Sequence, residues 1–177
     1  FTITATRAQE AGFDGVEIHA AHGYLISQFL SPLTNHRADE WGGDLHARAK
    51  ILYDIVRRVR IECGDKFIVS VKLNSADFQR GGFDVEDAIE VIKTLNTMNV
   101  DFIELSGGSY EAPAMQGKSG DERTLAREAY FLTFAKKIAL HSTVPVMTTG
   151  GIKRLAVANE VLDNHMELVG IASALAF

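Results

Sequence analysis

Short runs of apolar and β-branched residues recur along the chain at Gly15–Ile18, Phe67–Leu73, Val100–Leu105, Pro145–Thr148 and Leu168–Ala172, each bracketed by Gly, Asp, Asn or Ser. Runs this short, with little polar alternation, suit strands buried on both faces of a parallel sheet. The stretches between them carry a different period. Leu52, Ile55, Val56 and Val59 recur at three- and four-residue steps behind Asp44, a candidate N-cap. Val85, Ala88, Ile89, Ile92 and Leu95 do the same behind Asp84. A third helix is expected over 127–140, carrying Phe131, Phe134, Ala135 and Ile138, and a fourth over Leu155–Leu162. Thr2–Gln9 reads as the end of an earlier helix, stopped at Ala11-Gly12.

Strands alternating with helices imply parallel pairing, in either an open doubly wound sheet or a closed barrel. The strand ends are rich in polar and glycine residues: His19 and His22, Lys72 and Asn74, Ser106 to Ser109, Gly150 and Gly151. Barrel enzymes gather such residues at the C-terminal rim of their strands. The expected fold is therefore α/β, a (β/α)8 TIM barrel present in part. One domain spans residues 1–177, with five of the eight strands and about three missing upstream.

Composition narrows the function. A net charge of −5 and no Lys/Arg cluster argue against a nucleic-acid partner. The densest basic group, Arg57, Arg58 and Arg60, sits on a predicted helix and reads as a solvated face. No apolar run approaches a membrane span, so no membrane partner is expected. The first residues lack the pattern of a signal peptide, which favours the cytoplasm. Cys63 is the one cysteine, so the chain alone builds no disulfide and no cysteine-held metal or iron–sulfur site. It opens on Phe1 rather than Met and is expected to be a fragment.

Chemistry concentrates at His19-Ala20-Ala21-His22, followed by Tyr24. Two imidazoles can donate hydrogen bonds to one oxygen and stabilise charge developing on it. Residues three apart on a strand point to opposite faces, so both can serve one site only if the strand ends before His22. A tyrosine hydroxyl can deliver a proton. The same spacing also suits two ordinary loop histidines or a pair of metal ligands. Lys72 on an apolar strand is either a functional cation or an inward-facing lysine paired with a carboxylate. Gly150-Gly151 lies between a strand and a helix. It suits a phosphate approached by backbone N–H groups, or simply a tight turn. The Gly- and Ser-rich stretch 106–120 is a surface loop or a substrate lid.

The segment AGFDGVEIHAAHGYLISQFLSPLTNHRADEWGG (Ala11–Gly43) closely resembles the NADH:flavin oxidoreductase family, also called Old Yellow Enzyme-like. FIVSVKLNSADFQRGGF (67–83), VDFIELSGGSYEAPAM (100–115), VPVMTTGGIKR (144–154) and LVGIASALA (168–176) follow in the family's order. The resemblance implies a barrel with FMN at its C-terminal mouth, its fourth to eighth strands being those seen here. It implies that His19 and His22 bind the activating oxygen of an electron-poor alkene and that Tyr24 protonates it. Lys72 stands where many members carry an arginine beside the flavin pyrimidine edge. Gly150, Gly151, Ala172 and Ser173 match the phosphate site. The family usually has arginine at the position of Ser173, so one positive charge is lost there. The loop holding Asn35, Arg37, Asp39, Glu40 and Trp41 is implied to be structural, while Asp77, Gln79 and Arg80 either line the rim or pack their loop.

The leading expectation is thus an FMN-dependent ene-reductase fed by NADH or NADPH, acting on a small-molecule substrate, with room for a homo-oligomer. A metal-dependent barrel hydrolase or lyase using His19 and His22, and a truncated non-catalytic chain, stand as alternatives.

Overall fold

The computed structural model describes residues 1–108, 129, 131–172 and 175. Five strands, β1 (Gly15–Ala20), β2 (Ile68–Asn74), β3 (Phe102–Ser106), β4 (Val146–Thr149) and β5 (Leu168–Gly170), form one sheet in the order β1-β2-β3-β4-β5. Every neighbouring pair is parallel. That order decides between the two architectures left open by the pattern. A doubly wound sheet reverses its strand order at a switch point, whereas a (β/α) barrel adds each strand beside the last. The sheet is an arc of such a barrel, as expected.

Register sorts the side chains into two faces. One face carries Ile18, Val71, Ile103 and Val146 in one row and Ala20, Leu73, Leu105, Thr148 and Val169 in the next. Most of these are buried, with Val71, Leu73, Ile103 and Leu105 fully so. They pack against helices α1 (Thr2–Glu10), α2 (Leu25–Leu30), α3 (Leu45–Cys63), α4 (Val85–Leu95), α5 (Leu132–Ala139) and α6 (Leu155–Leu162). Each such side chain contributes about 1.5–3 kcal/mol by leaving water. The opposite, inward face carries Glu17, Ser70, His19, Lys72, Glu104 and Met147. The sheet is therefore apolar outside and polar inside, the reverse of a surface sheet. No helix among the described residues is long and apolar enough to cross a membrane.

The helix starts follow from their caps. Asp44 Oδ1 accepts the Ala47 N–H at 2.9 Å, and Asp84 Oδ1 accepts the Asp87 N–H at 3.0 Å. Each satisfies a backbone donor that the first turn leaves unpaired. The third predicted helix starts later than expected. Ala129 has φ +54, outside the helical region, and its carbonyl accepts the Leu132 N–H at 3.0 Å, so α5 begins at Leu132. Residues 127, 128 and 130 lie outside the described residues. Helix α2 had no sequence signal because six residues are too few to display a period.

One expectation is corrected. Arg57 and Arg58 are exposed, but Arg60 is 9% exposed. It lies on the buried stripe of α3 with Val56, Val59 and Cys63. Its Nη1 donates to the carbonyls of Gly64 and Phe67 at 3.1 and 2.6 Å. Its Nη2 donates to the Asn99 carbonyl and to Asp101 Oδ2 at 2.6 and 2.7 Å. Asp101 Oδ2 also accepts the Val69 N–H at 2.7 Å. This cation ties the C-terminus of α3 to the segments that start β2 and β3, at the end of the sheet away from the rim. Arg60→Ala is expected to lower unfolding stability by about 3 kcal/mol, read from the urea midpoint. An unchanged midpoint would show these contacts to be idle.

Candidate active site at the strand ends

Strand β1 ends at Ala20, and His22 takes φ +63. That left-handed residue turns the chain out of strand geometry. The rings of His19 and His22 consequently meet, with centroids 5.2 Å apart and planes at 86°. The Tyr24 ring stands 4.9 Å from that of His19. Tyr24 also precedes α2 as its N-cap and is 43% exposed.

The turn is held from β2. Asn74 Oδ1 accepts the His22 backbone N–H at 3.1 Å. The Asn74 amide nitrogen donates to Asp77 Oδ1 at 3.1 Å and to the Gly108 carbonyl at 3.0 Å. One side chain, 1% exposed, thereby links the loops that follow β1, β2 and β3. Asp77 Oδ2 accepts the Phe83 N–H at 3.0 Å, so Asp77 packs its loop. From β3, Ser106 Oγ lies 2.6 Å from His22 Nε2.

These contacts and charges set the imidazole protons. The Ala21 N–H donates to His19 Nδ1 at 3.2 Å, which places the proton of neutral His19 on Nε2. Partial burial, then the nearby Lys72 ammonium, pushes the His19 pKa below its ordinary 6.5. Burial, Lys72 and His19 together take His22 down to about 4. Both rings are neutral near pH 7, each with one N–H to give.

Below the histidines the inward face holds a charged cluster. Lys72 Nζ donates to Glu104 Oε1 at 2.6 Å, with the Glu104 side chain 7% exposed. The Ser70 hydroxyl donates to Glu17 Oε2 at 3.4 Å. Desolvation and the neighbouring Glu104 carboxylate raise the Glu17 pKa from 4.5 to about 7. Sequence reasoning placed Lys72 but not Glu17 as a partner in this cluster; their common strand face was the available signal.

At the far rim, Gly150 and Gly151 adopt φ +105 and +70 between β4 and α6. Side chains with a Cβ rarely take these angles, and the bare backbone leaves room for an anion to approach. Ala172 follows β5 and is exposed, while Ser173 lies outside the described residues. So do residues 109–120 of the Gly- and Ser-rich loop. In the loop after α2, Asn35 Nδ2 donates to the carbonyls of Phe29 and Trp41, and Lys50 Nζ sits 3.6 Å above the Trp41 ring.

Residues 1–176 match the model of the NADH:flavin oxidoreductase / NADH oxidase family. The chain belongs to this family. It is 41% identical over 178 residues to the NADH-dependent flavin oxidoreductase iliE of Hypocrea jecorina, covering 97% of the chain and 44% of that protein. It is 39% identical over 168 residues to an NADPH dehydrogenase of Listeria innocua, covering 93% of the chain and 46% of that protein. An Old Yellow Enzyme homologue from Zymomonas mobilis superposes with a TM-score of 0.72 at 27% identity, over 94% of this chain and 44% of that one. The chain thus spans less than half the length of these relatives. Among the described residues, no group of three or more His, Cys, Asp or Glu could hold a metal ion.

Glu17 and His22 bend stability in opposite senses. Glu17 binds its proton more tightly folded than unfolded, so its contribution is present below pH 4.5 and fades as pH rises to about 7. His22 binds its proton less tightly when folded, so its contribution is present above 6.5 and fades as pH falls to about 4. Glu17→Gln should therefore gain stability over the parent progressively across the Glu17 window and hold that gain above it. Urea midpoints across the pH range check this; a constant difference would contradict the shift.

Proposed function

We propose that this chain carries the substrate-anchoring side and part of the flavin site of an FMN-dependent oxidoreductase of the ene-reductase type. Its electrons come from NADH or NADPH, and its substrates are activated alkenes such as enones. The observation that supports this best is the pair of neutral imidazoles at the end of β1, with ring centroids 5.2 Å apart and Tyr24 beside them.

In this reading, His19 Nε2–H and an N–H of His22 donate to the carbonyl oxygen of the substrate. This reading takes the tautomer in which the Ser106 hydroxyl, 2.6 Å away, donates to His22 Nε2 and the His22 proton lies on Nδ1, facing the substrate. Neutral rings suit this role: they stabilise the growing oxyanion as fixed dipoles without giving up a proton. Tyr24 supplies the proton to the α-carbon. When bound, reduced FMN supplies the hydride to the β-carbon. The residues present fit FMN on two counts. Lys72 offers a cation on the inward face, and the positive-φ turn at Gly150 and Gly151 offers backbone donors for the phosphate. Ala172 and Ser173 would complete that end with backbone groups and a hydroxyl, in place of an arginine.

His19→Ala and His22→Ala should each weaken binding of a phenolic ligand about 10- to 100-fold, measured by titrating the flavin absorbance of the loaded protein. Unchanged affinity in both would remove the anchoring role. Tyr24→Phe should slow enone reduction about 100-fold while leaving flavin reduction by the nicotinamide unaltered, a split that stopped-flow absorbance resolves. Equal loss in both half-reactions would count against proton donation.

A further inference from the structure

Ser106 ends β3 opposite Asn74 of β2 and is 3% exposed. Its backbone is held on both sides. The Ser75 N–H donates to the Ser106 carbonyl at 2.7 Å. At the next residue, Gly107, an added Cβ would stand 2.6 Å from the Phe78 ring and 2.8 Å from the Phe131 ring, so the chain is packed tightly there. The Ser106 hydroxyl lies 2.6 Å from His22 Nε2, and among the described residues this is its one hydrogen bond.

A hydroxyl has one donor and two acceptor sites, and a neutral imidazole has one of each. Two arrangements satisfy the contact. If His22 Nε2–H donates, the buried Ser106 O–H has no acceptor among the described residues, and a buried donor without a partner is costly. If the Ser106 O–H donates, its proton is used and the His22 proton lies on Nδ1. The second arrangement leaves no buried donor idle. His19 is fixed the opposite way round. The Ala21 N–H donates to His19 Nδ1 at 3.2 Å, so that nitrogen offers a lone pair and the proton lies on Nε2. Each ring thus has its accepting nitrogen covered by a donor of the protein and keeps one N–H to give.

We propose that Ser106 is a positioning residue that holds His22 as the Nδ1–H tautomer, so that His22 and His19 together offer a ligand two donors and no acceptor. Such a pair takes an oxygen that carries no hydrogen, as in a carbonyl, a nitro group or a phenolate. It disfavours a ligand group that needs an acceptor at the same place. Ser106 acts through His22. The consequence for ligands rests on the anchoring reading above, whereas the tautomer does not.

Two measurements test this separately. Imidazole nitrogen NMR at neutral pH distinguishes Nδ1–H from Nε2–H rings, and the His22 signals are assigned by their loss in His22→Asn. The parent should show His22 as Nδ1–H and His19 as Nε2–H. In Ser106→Ala the His22 ring should move towards Nε2–H, the form that free histidine favours, while His19 stays as it is. Ser106→Thr keeps the hydroxyl and should keep the parent pattern. An Nε2–H ring at His22 in the parent overturns the assignment whatever the variants do, and an unchanged His22 pattern in Ser106→Ala removes Ser106 as its cause. Binding gives the second readout, since a ligand that must meet Nδ1–H binds in proportion to the fraction of rings presenting it. Titrating para-cyanophenolate into FMN-loaded protein, followed by the flavin absorbance, should give a Kd about 3- to 10-fold weaker in Ser106→Ala and close to the parent's in Ser106→Thr. Equal affinity in Ser106→Ala despite a shifted tautomer overturns the link to the ligand. A parent that binds no phenolate overturns the anchoring reading and with it that link, while the ring spectra still decide the tautomer.

Discussion

The Asn74 side-chain amide is the contact on which the site geometry rests. Its oxygen holds the backbone of His22 and its nitrogen holds Asp77 and Gly108, so three strand-end loops share one buried group. A backbone N–H at a left-handed residue has no strand partner and must find an acceptor locally. Asn74 provides it. Aspartate could accept from His22 but could not donate to Gly108. Alanine would strand a buried donor and two buried acceptors. The angle between the two histidines is thus set by a residue that need not touch the substrate at all.

The same economy governs the sheet. A strand buried on both faces normally reads as a continuous apolar run. β2 departs from that with Ser70, Lys72 and Asn74 at alternate positions, all inward. Burying such groups is costly unless each finds a partner. Each does: Ser70 reaches Glu17, Lys72 reaches Glu104, and Asn74 reaches the loops. The outward alternates Val69, Val71 and Leu73 are fully buried and supply the cohesion. Stability and chemistry are therefore carried by the two faces of one strand, and changes to one face can leave the other intact.

Most of the fold could be read from local pattern because strand runs and helix stripes are local properties. All five strands lie where the apolar runs placed them, and Asp44 and Asp84 cap the helices they were expected to cap. The departures have a common cause. Arg60 looked like a surface cation because its partners at 99 and 101 are distant in sequence. Ala129 adopts an angle that its side chain does not advertise. At the site, His19, His22, Tyr24 and Lys72 stood out by residue type. Asn74 and Ser106 were visible only as polar strand ends, and the grouping of Glu17 with Lys72 and Glu104 was not visible at all, because these residues matter through who faces whom across neighbouring strands. Register supplies that information, and it follows from the sequential strand order rather than from any single segment.

Lys72 connects the parts of the site that otherwise look separate. After burial, which acts first, its ammonium further depresses both histidines and helps keep them as neutral donors. It is also the partner of Glu104, whose carboxylate raises Glu17. A cation with no counter-ion here would carry its full desolvation cost, and a fully ionised Glu17–Glu104 pair would overcompensate it. The raised Glu17 pKa keeps a proton on that carboxyl more readily, which limits the negative charge gathered around Lys72. Replacing Lys72 with a neutral residue would therefore do more than remove one charge: the histidines would become easier to protonate, and the two carboxyls would face each other without a cation between them and the rest of the site.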